Sequence, residues 1–370
     1  MRTGHATAEG TEKFFRFHPI HADKKRPFTD LWVSALGMGT YLGDSDERTD
    51  QMYARSLVSA VSHGINFFDT AANYRSERSE KVVGKVICEL DDLGVHRDQL
   101  LVATKGGFLS IAENTENFES YVRAHYLEKG IIKPHELVHN CHCISPDFLE
   151  HELERSLHNL KLSCIDLYYL HNPEMQGMET NENEFDEKMY KAFAFLEKKV
   201  KEKKIRSYGV ATWNGFRLKP NAKGLLNLTK LVGFAKKIAG ESHHFNALQL
   251  PYNMVMLEAL KLRNQSLLEE EEEERVNILK AARHYKLNVM VSAPLMQSQL
   301  SHLPRRIFDA LPAENTPMQK ALQFVVSNPF VTTAMVGMKM GAHVQENVKI
   351  LQEPNWTEQE MKAACKLLGV

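Results

Sequence analysis

The chain is poor in cysteine, with five residues, Cys88, Cys141, Cys143, Cys164 and Cys365, scattered through 370 positions. An odd and sparse set offers no disulfide framework and fits reduced thiols, so a cytoplasmic setting is expected. Net charge is also scarce: Lys plus Arg total 46 against 47 for Asp plus Glu, leaving −1. Bulk charge therefore gives no grounds for a nucleic-acid or anionic-membrane partner. No apolar run approaches the roughly 20 residues that span a bilayer, and the N-terminus has no apolar signal core. A Gly-x-Gly-x-x-Gly motif after an early strand is missing too, which disfavours a doubly wound dinucleotide-binding sheet.

What the chain has is alternation. Eight short apolar runs read as strands: Trp32–Leu36, Ile65–Phe68, Leu100–Lys105, Ile165–Leu170, Ile205–Val210, Phe245–Pro251, Asn288–Val291 and Val331–Val336. Helical spacing lies between them, as in Asp50–His63, Phe148–Leu160, Tyr190–Lys204 and Thr316–Ser327. Trp356–Leu368 reads as a closing helix. No second repeat and no linker interrupts the order. The prediction is an α/β chain forming a single (β/α)8 TIM barrel over residues 31–370, a fold that needs about 250 residues or more. Residues 1–30 read as a tail and arm, with 1–12 a loose tail because they are small, polar and aperiodic.

Chemistry gathers where strands end. The run Ile65–Phe68 turns polar at Asp69, and Tyr74 follows five residues on. The next strand ends in Lys105, and Ile165–Leu170 ends in His171. Barrels of this class place reactive groups at these C-terminal ends. A phenol donates a proton more readily if something lowers its pKa from about 10, and a buried ammonium would do so. A buried lysine in turn needs a partner, and Asp69 is the carboxylate among these strand-end residues. Singly, each residue reads as structural; together and in this order they read as one site.

The motifs Phe67-Phe68-Asp69-Thr70-Ala71-Ala72-Asn73-Tyr74, Ala103-Thr104-Lys105 and Asp166-Leu167-Tyr168-Tyr169-Leu170-His171 resemble the aldo-keto reductase superfamily, over about residues 31–351. The resemblance implies NADP(H)-dependent reduction of a small carbonyl substrate, NAD not being excluded. It assigns Tyr74 as acid, Lys105 and Asp69 as its tuning pair and His171 as the substrate-orienting group, with Asn172 and Trp213 beside the substrate. It places the cofactor along Gly39, Thr40, Asp69, Thr212, Gln249, Ser292, Pro294, Leu295, Gln297, Ser298, Gly337, Lys339, Glu346 and Asn347. Lys339, two residues after Gly337, matches a family branch with an arginine there, and a cation there favours the 2′-phosphate of NADP. Two positions depart from the pattern. Ala211 replaces a serine that contacts the carboxamide, and Ser292 replaces an aromatic ring that stacks on nicotinamide. The resemblance also offers Phe14–Thr29 as a hairpin plugging the barrel bottom; an arm on the surface is the other reading.

Three further features stand outside that scheme. Gly106–Pro146 is long for a strand-to-helix connection and rich in aromatics, as substrate-shaping loops are. Within it, His139-Asn140-Cys141-His142-Cys143 invites zinc, but it lacks a second distant pair of ligands, so local packing is preferred and no metal is expected. The six glutamates Glu269–Glu274 read as a solvated helix start. Two rival functions remain: a cofactor-binding regulatory subunit resembling potassium-channel β-subunits, and an aldolase using Lys105 as a Schiff base. Oligomeric state is left open.

Overall fold

The computed structural model describes residues 1–269, 272–312 and 315–370. Eight parallel strands close into a barrel: β1 Leu36–Gly39, β2 Phe67–Asp69, β3 Leu101–Gly106, β4 Ile165–His171, β5 Ile205–Ala211, β6 Phe245–Pro251, β7 Asn288–Ser292 and β8 Thr333–Gly337. Closure is made by β8 on β1, from Ala334 opposite Leu36 to Gly337 opposite Gly39. The strands are mostly apolar because helices cover their outer face and packed side chains fill the inner one. Helices such as Glu47–Ser62, Arg78–Asp92, Pro146–Leu160 and Glu182–Lys201 form the outer ring. The (β/α)8 barrel expected from the strand count is the fold observed.

The barrel bottom is closed by an antiparallel hairpin, Lys25–Phe28 with Leu31–Ser34. Its Phe28, Leu31 and Val33 pack with Phe67, Leu101, Leu167, Tyr169 and Met335 in the barrel interior. The expected hairpin at Phe14–Thr29 is therefore displaced: Phe14–Phe17 end a helix, and the hairpin that closes the bottom runs from Lys25 to Ser34. The predicted first strand, Trp32–Leu36, is really two: Ala35 separates the hairpin from β1. The two share one apolar run, so hydropathy alone could not divide them.

The loose-tail reading of residues 1–12 is corrected. Thr7 caps a helix spanning Ala8–Phe17 by accepting from Gly10 N, and Phe14 and Phe15 are buried. Ala6 N donates to Asp166 Oδ1 at 2.7 Å, which ties the segment to β4. Gly10 allows this docking, since a Cβ there would lie 2.2 Å from Asp98 O. The glutamate-block expectation is corrected as well. Gln265–Glu269 and Glu272–Val276 pair as an antiparallel hairpin, and the helix begins only at Ile278. Glu270 and Glu271 of that block lie outside the described residues. Gln265 Oε1 accepts from Leu228 N and Ser266 O from Thr229 Oγ1, and this tertiary contact with the helix Leu228–Ala239 overrides the local preference of glutamate.

Candidate active site

At the C-terminal rim the strand ends surround a cavity of about 540 Å³. β2 delivers Asp69 and β3 delivers Lys105. Because both strands are parallel and nearly in register, Asp69 lies opposite Ala103 and Lys105 extends one residue pair further up the rim. Lys105 Nζ donates to Asp69 Oδ2 at 2.6 Å and to Thr70 O at 2.9 Å. Both side chains are almost wholly buried. Burial pushes the lysine down, but Asp69 and Tyr74 pull it up and prevail, so it titrates above the ordinary lysine value. A charged ammonium is therefore held beneath the cavity.

The turn after β2 brings Tyr74 over that ammonium, with Lys105 Nζ 4.8 Å from the ring centroid. The turn is sharp: Arg75, Ser76 and Glu77 all take left-handed backbone angles (φ 51, 52 and 70°). Arg75 makes up for this by bonding Asp50 Oδ1 at 2.5 Å and Asp44 O at 2.8 Å, which fastens the loop after β1 to the tyrosine turn. Lys105 pulls the Tyr74 pKa down, as expected, but does not bring it below the phenol value. Burial raises it, Lys105 lowers it, Asp69 raises it again, and the balance lies above 10.0. Tyr74 thus stays protonated at neutral pH, as a proton donor must.

His171 closes the other side. Its ring meets Tyr74 edge-on at 6.0 Å and Phe108 at 4.9 Å between centroids. Burial, then the Lys105 charge, then His142 hold its pKa well below the ordinary histidine value, so the imidazole is neutral. Asp69 has a second donor: Gln249 Nε2 bonds its Oδ1 at 2.8 Å. Thr212 Oγ1 accepts from Gly215 N at 2.7 Å. Gln249 and Thr212, both among the residues that the family resemblance places along the cofactor, are therefore already bonded within the protein.

Of the residues singled out from sequence, Gly39, Thr40, Asp69, Tyr74, His171, Asn172, Thr212, Trp213, Gln249, Ser292, Pro294, Leu295, Gln297, Ser298 and Gly337 line the cavity. Lys105 lies behind them. Lys339, Glu346 and Asn347 are not in its wall. Lys339 rests against Gly43, Glu346 Oε1 accepts from Thr316 Oγ1 at 2.8 Å, and Asn347 is buried. Sequence reasoning passed over Tyr41 and Asn73 as site residues and gave Phe108 only as part of the substrate-shaping loop, yet all three line the cavity. Tyr41 meets Tyr74 edge-on at 4.9 Å. Their signal was adjacency: each stands within a few residues of a strand end. Among the described residues no three His, Cys, Asp or Glu side chains come together as a metal-ligand set, and no helix is long and apolar enough to cross a membrane.

A model of the aldo/keto reductase family matches residues 35–368. The oxidoreductase YqkF of Bacillus subtilis, itself uncharacterized, is 23% identical over 366 residues, covering 92% of this chain and 94% of its own. A putative voltage-gated potassium channel subunit beta of Schizosaccharomyces pombe is 24% identical over 350 residues, covering 87% and 86%. Among solved structures, the glycerol dehydrogenase of Gluconobacter oxydans superposes with a TM-score of 0.65 at 19% identity, over 94% of this chain and 96% of that one. An aldo-keto reductase from Klebsiella pneumoniae in complex with NADPH gives 0.61 at 21% identity, over 93% and 95%. The barrel order, the rim geometry and the family match converge, and the chain belongs to the aldo/keto reductase family.

Proposed function

We propose that the protein is a carbonyl reductase that uses NADPH to convert an aldehyde or ketone to an alcohol, and that runs in reverse as an alcohol dehydrogenase. The observation that carries this reading is the single cluster in which Lys105, salt-bridged to Asp69 at 2.6 Å, underlies Tyr74 at the floor of one cavity with His171 beside it. The cavity wall suits a dinucleotide: Gln249, Ser292, Gln297 and Ser298 are polar residues lining it, beside Pro294 and Leu295. Lys339, just outside this wall, is the cation available for a 2′-phosphate. When bound, the cofactor supplies the hydride.

The protein's own residues do the rest. Tyr74, protonated at neutral pH, gives its proton to the developing alkoxide. The Lys105 ammonium stabilises the tyrosinate left behind, and Asp69 fixes that ammonium. Neutral His171 donates a hydrogen bond to the carbonyl oxygen and turns it toward Tyr74. Asn172, Trp213, Tyr41 and Phe108 form the substrate wall. Replacing Tyr74 by Phe is expected to leave cofactor binding nearly intact and cut turnover by about 10²-fold or more. Unchanged turnover in that variant would remove Tyr74 as the acid.

A second reading is a cofactor-binding regulatory subunit, favoured by the likeness to the putative potassium channel subunit. Steady-state NADPH consumption with an aldehyde panel separates the two. The aldolase reading needs a neutral amine at Lys105, which the salt bridge and the raised pKa oppose.

A further inference from the structure

The His139–Cys143 cluster that resembled a metal motif has a different use. His142 is completely buried beside the strand that ends in His171. Its Nε2 lies 2.7 Å from His171 O, the backbone carbonyl of the residue read above as orienting substrate. A carbonyl only accepts, so Nε2 carries the proton. The other ring nitrogen, Nδ1, then accepts, and Gln176 Nε2 stands 3.1 Å away to donate. The Gln176 amide is itself oriented, since its Oε1 accepts from Lys188 Nζ at 2.9 Å and its Nε2 also reaches His142 O at 3.0 Å. Every donor in this chain of bonds meets an acceptor with His142 neutral and in one tautomer. Burial favours the same state and pushes its pKa down to about 4.

Two observations show that the arrangement bears on His171. First, His171 Nδ1 is buried without a hydrogen-bond partner, so no bond from that atom orients its ring. The ring is set by packing on Phe108, which stands edge-on to His171 at 4.9 Å and to His142 at 5.2 Å. Second, the chain leaves room for the bond. Gly107 has φ +149°, and a Cβ there would lie 2.6 Å from His171 O and 3.1 Å from His142 Nε2, in the space between them. His142 also bridges to Phe108 and Val138 through its backbone, which stitches the long loop to the barrel rim.

We propose that His142 is a positioning residue for His171: it grips the carbonyl at the end of β4 through Nε2–H and clamps Phe108 against the His171 ring, so that the long loop sets the angle of the substrate-facing imidazole. The catalytic meaning of that angle rests on the carbonyl-reductase reading; the grip itself does not.

The test uses the full-length protein. His142→Leu removes the donor, His142→Gln keeps an N–H at similar reach, and Gly107→Ala wedges a methyl between the partners. His142→Leu and Gly107→Ala are expected to lower kcat about 10-fold or more, because a shift of about 1 Å at a reacting group costs on the order of 10²-fold. The NADPH dissociation constant stays within about 2-fold of wild type, and His142→Gln recovers most of kcat. Nitrogen-15 spectra of the histidine rings give a readout that needs no turnover. His142 is expected as a single Nε2–H tautomer that does not titrate from about pH 5 to 9, with the His171 signals displaced in His142→Leu. His142→Leu with wild-type kcat, or His171 signals unchanged by both disruptive variants, overturns the proposal. If His142→Leu does not fold, Gly107→Ala decides by the same two readouts. If the wild-type protein reduces no carbonyl, the functional reading fails while the spectra still decide the grip.

Discussion

Lys105 and Lys24 are both fully buried, one at the C-terminal rim of the barrel and one at its floor, and their surroundings push them in opposite directions. Lys105 faces a carboxylate at 2.6 Å and titrates above the ordinary lysine value. Lys24 Nζ donates to two neutral amides, Gln323 Oε1 and Asn355 Oδ1, each at 2.7 Å. Burial, then the nearby Arg26 charge, bring its pKa down to about 7, and Asp23 and Glu353 offset only part of this. Hydrogen bonds satisfy an ammonium's donors; only a nearby negative charge stabilises its charge in a medium where water cannot. The rim thus keeps a permanent cation where the proposed chemistry uses one, while the floor holds a lysine whose charge is optional.

The largest effect should come from breaking the rim pair. Asp69→Asn keeps the shape and removes the charge, leaving Lys105 buried without a counter-ion. A loss of about 3–5 kcal/mol in unfolding free energy is expected, with carbonyl reduction abolished. A urea titration superposing on that of wild type would show that the pair does not hold the ammonium.

The floor lysine should respond to pH. Its folded pKa of about 7 lies below that of an unfolded lysine, about 10.4. Between those values the unfolded chain binds more protons, so stability from this group rises with pH and is lowest at and below pH 7. Relative to Lys24→Met, wild type should gain up to about 1.4 kcal/mol per pH unit between pH 7 and 9.5, read from paired urea unfolding curves. A flat difference would mean that Asp23 and Glu353 keep the ammonium charged throughout.

Making the floor resemble the rim sharpens the contrast. Asn355→Asp puts a carboxylate where a neutral oxygen now stands at 2.7 Å from Lys24. The pH slope should flatten, and an undiminished slope would count against the charge argument. The smallest effect belongs to a solvated lysine. Lys191 meets Glu187 at 2.6 Å on an exposed helix face. Such pairs are screened by water and salt, so Lys191→Ala should leave the urea midpoint where it is.

Much of this was open to reading from residues. The eight strands, their order and the barrel were visible because buried parallel strands leave continuous apolar runs between helical patterns. Asp69, Lys105 and His171 stood out because polar residues ended those runs. What escaped notice had no local signature. The N-terminal helix has a capping threonine and a glycine fitted to Asp98, but its first residues look like any mobile terminus. The glutamate hairpin contradicts the preferences of its own residues. The cluster around His142 was read as local packing rather than metal, but which partners it packs on was hidden, because spacing says nothing of where side chains point.

By itself the sequence determined the alternation of elements and which chemical groups terminate the strands, since hydrophobic periodicity and strand-end polarity are local properties. The Asp69–Lys105 pair was expected and is found, but only the tertiary structure decided that Gln249 also bonds Asp69, that the net shift of Tyr74 is upward, and that one lysine is stabilised as a cation and another is not. Those outcomes depend on distances across the closed barrel and on how far water is excluded, and neither is fixed before the strands meet.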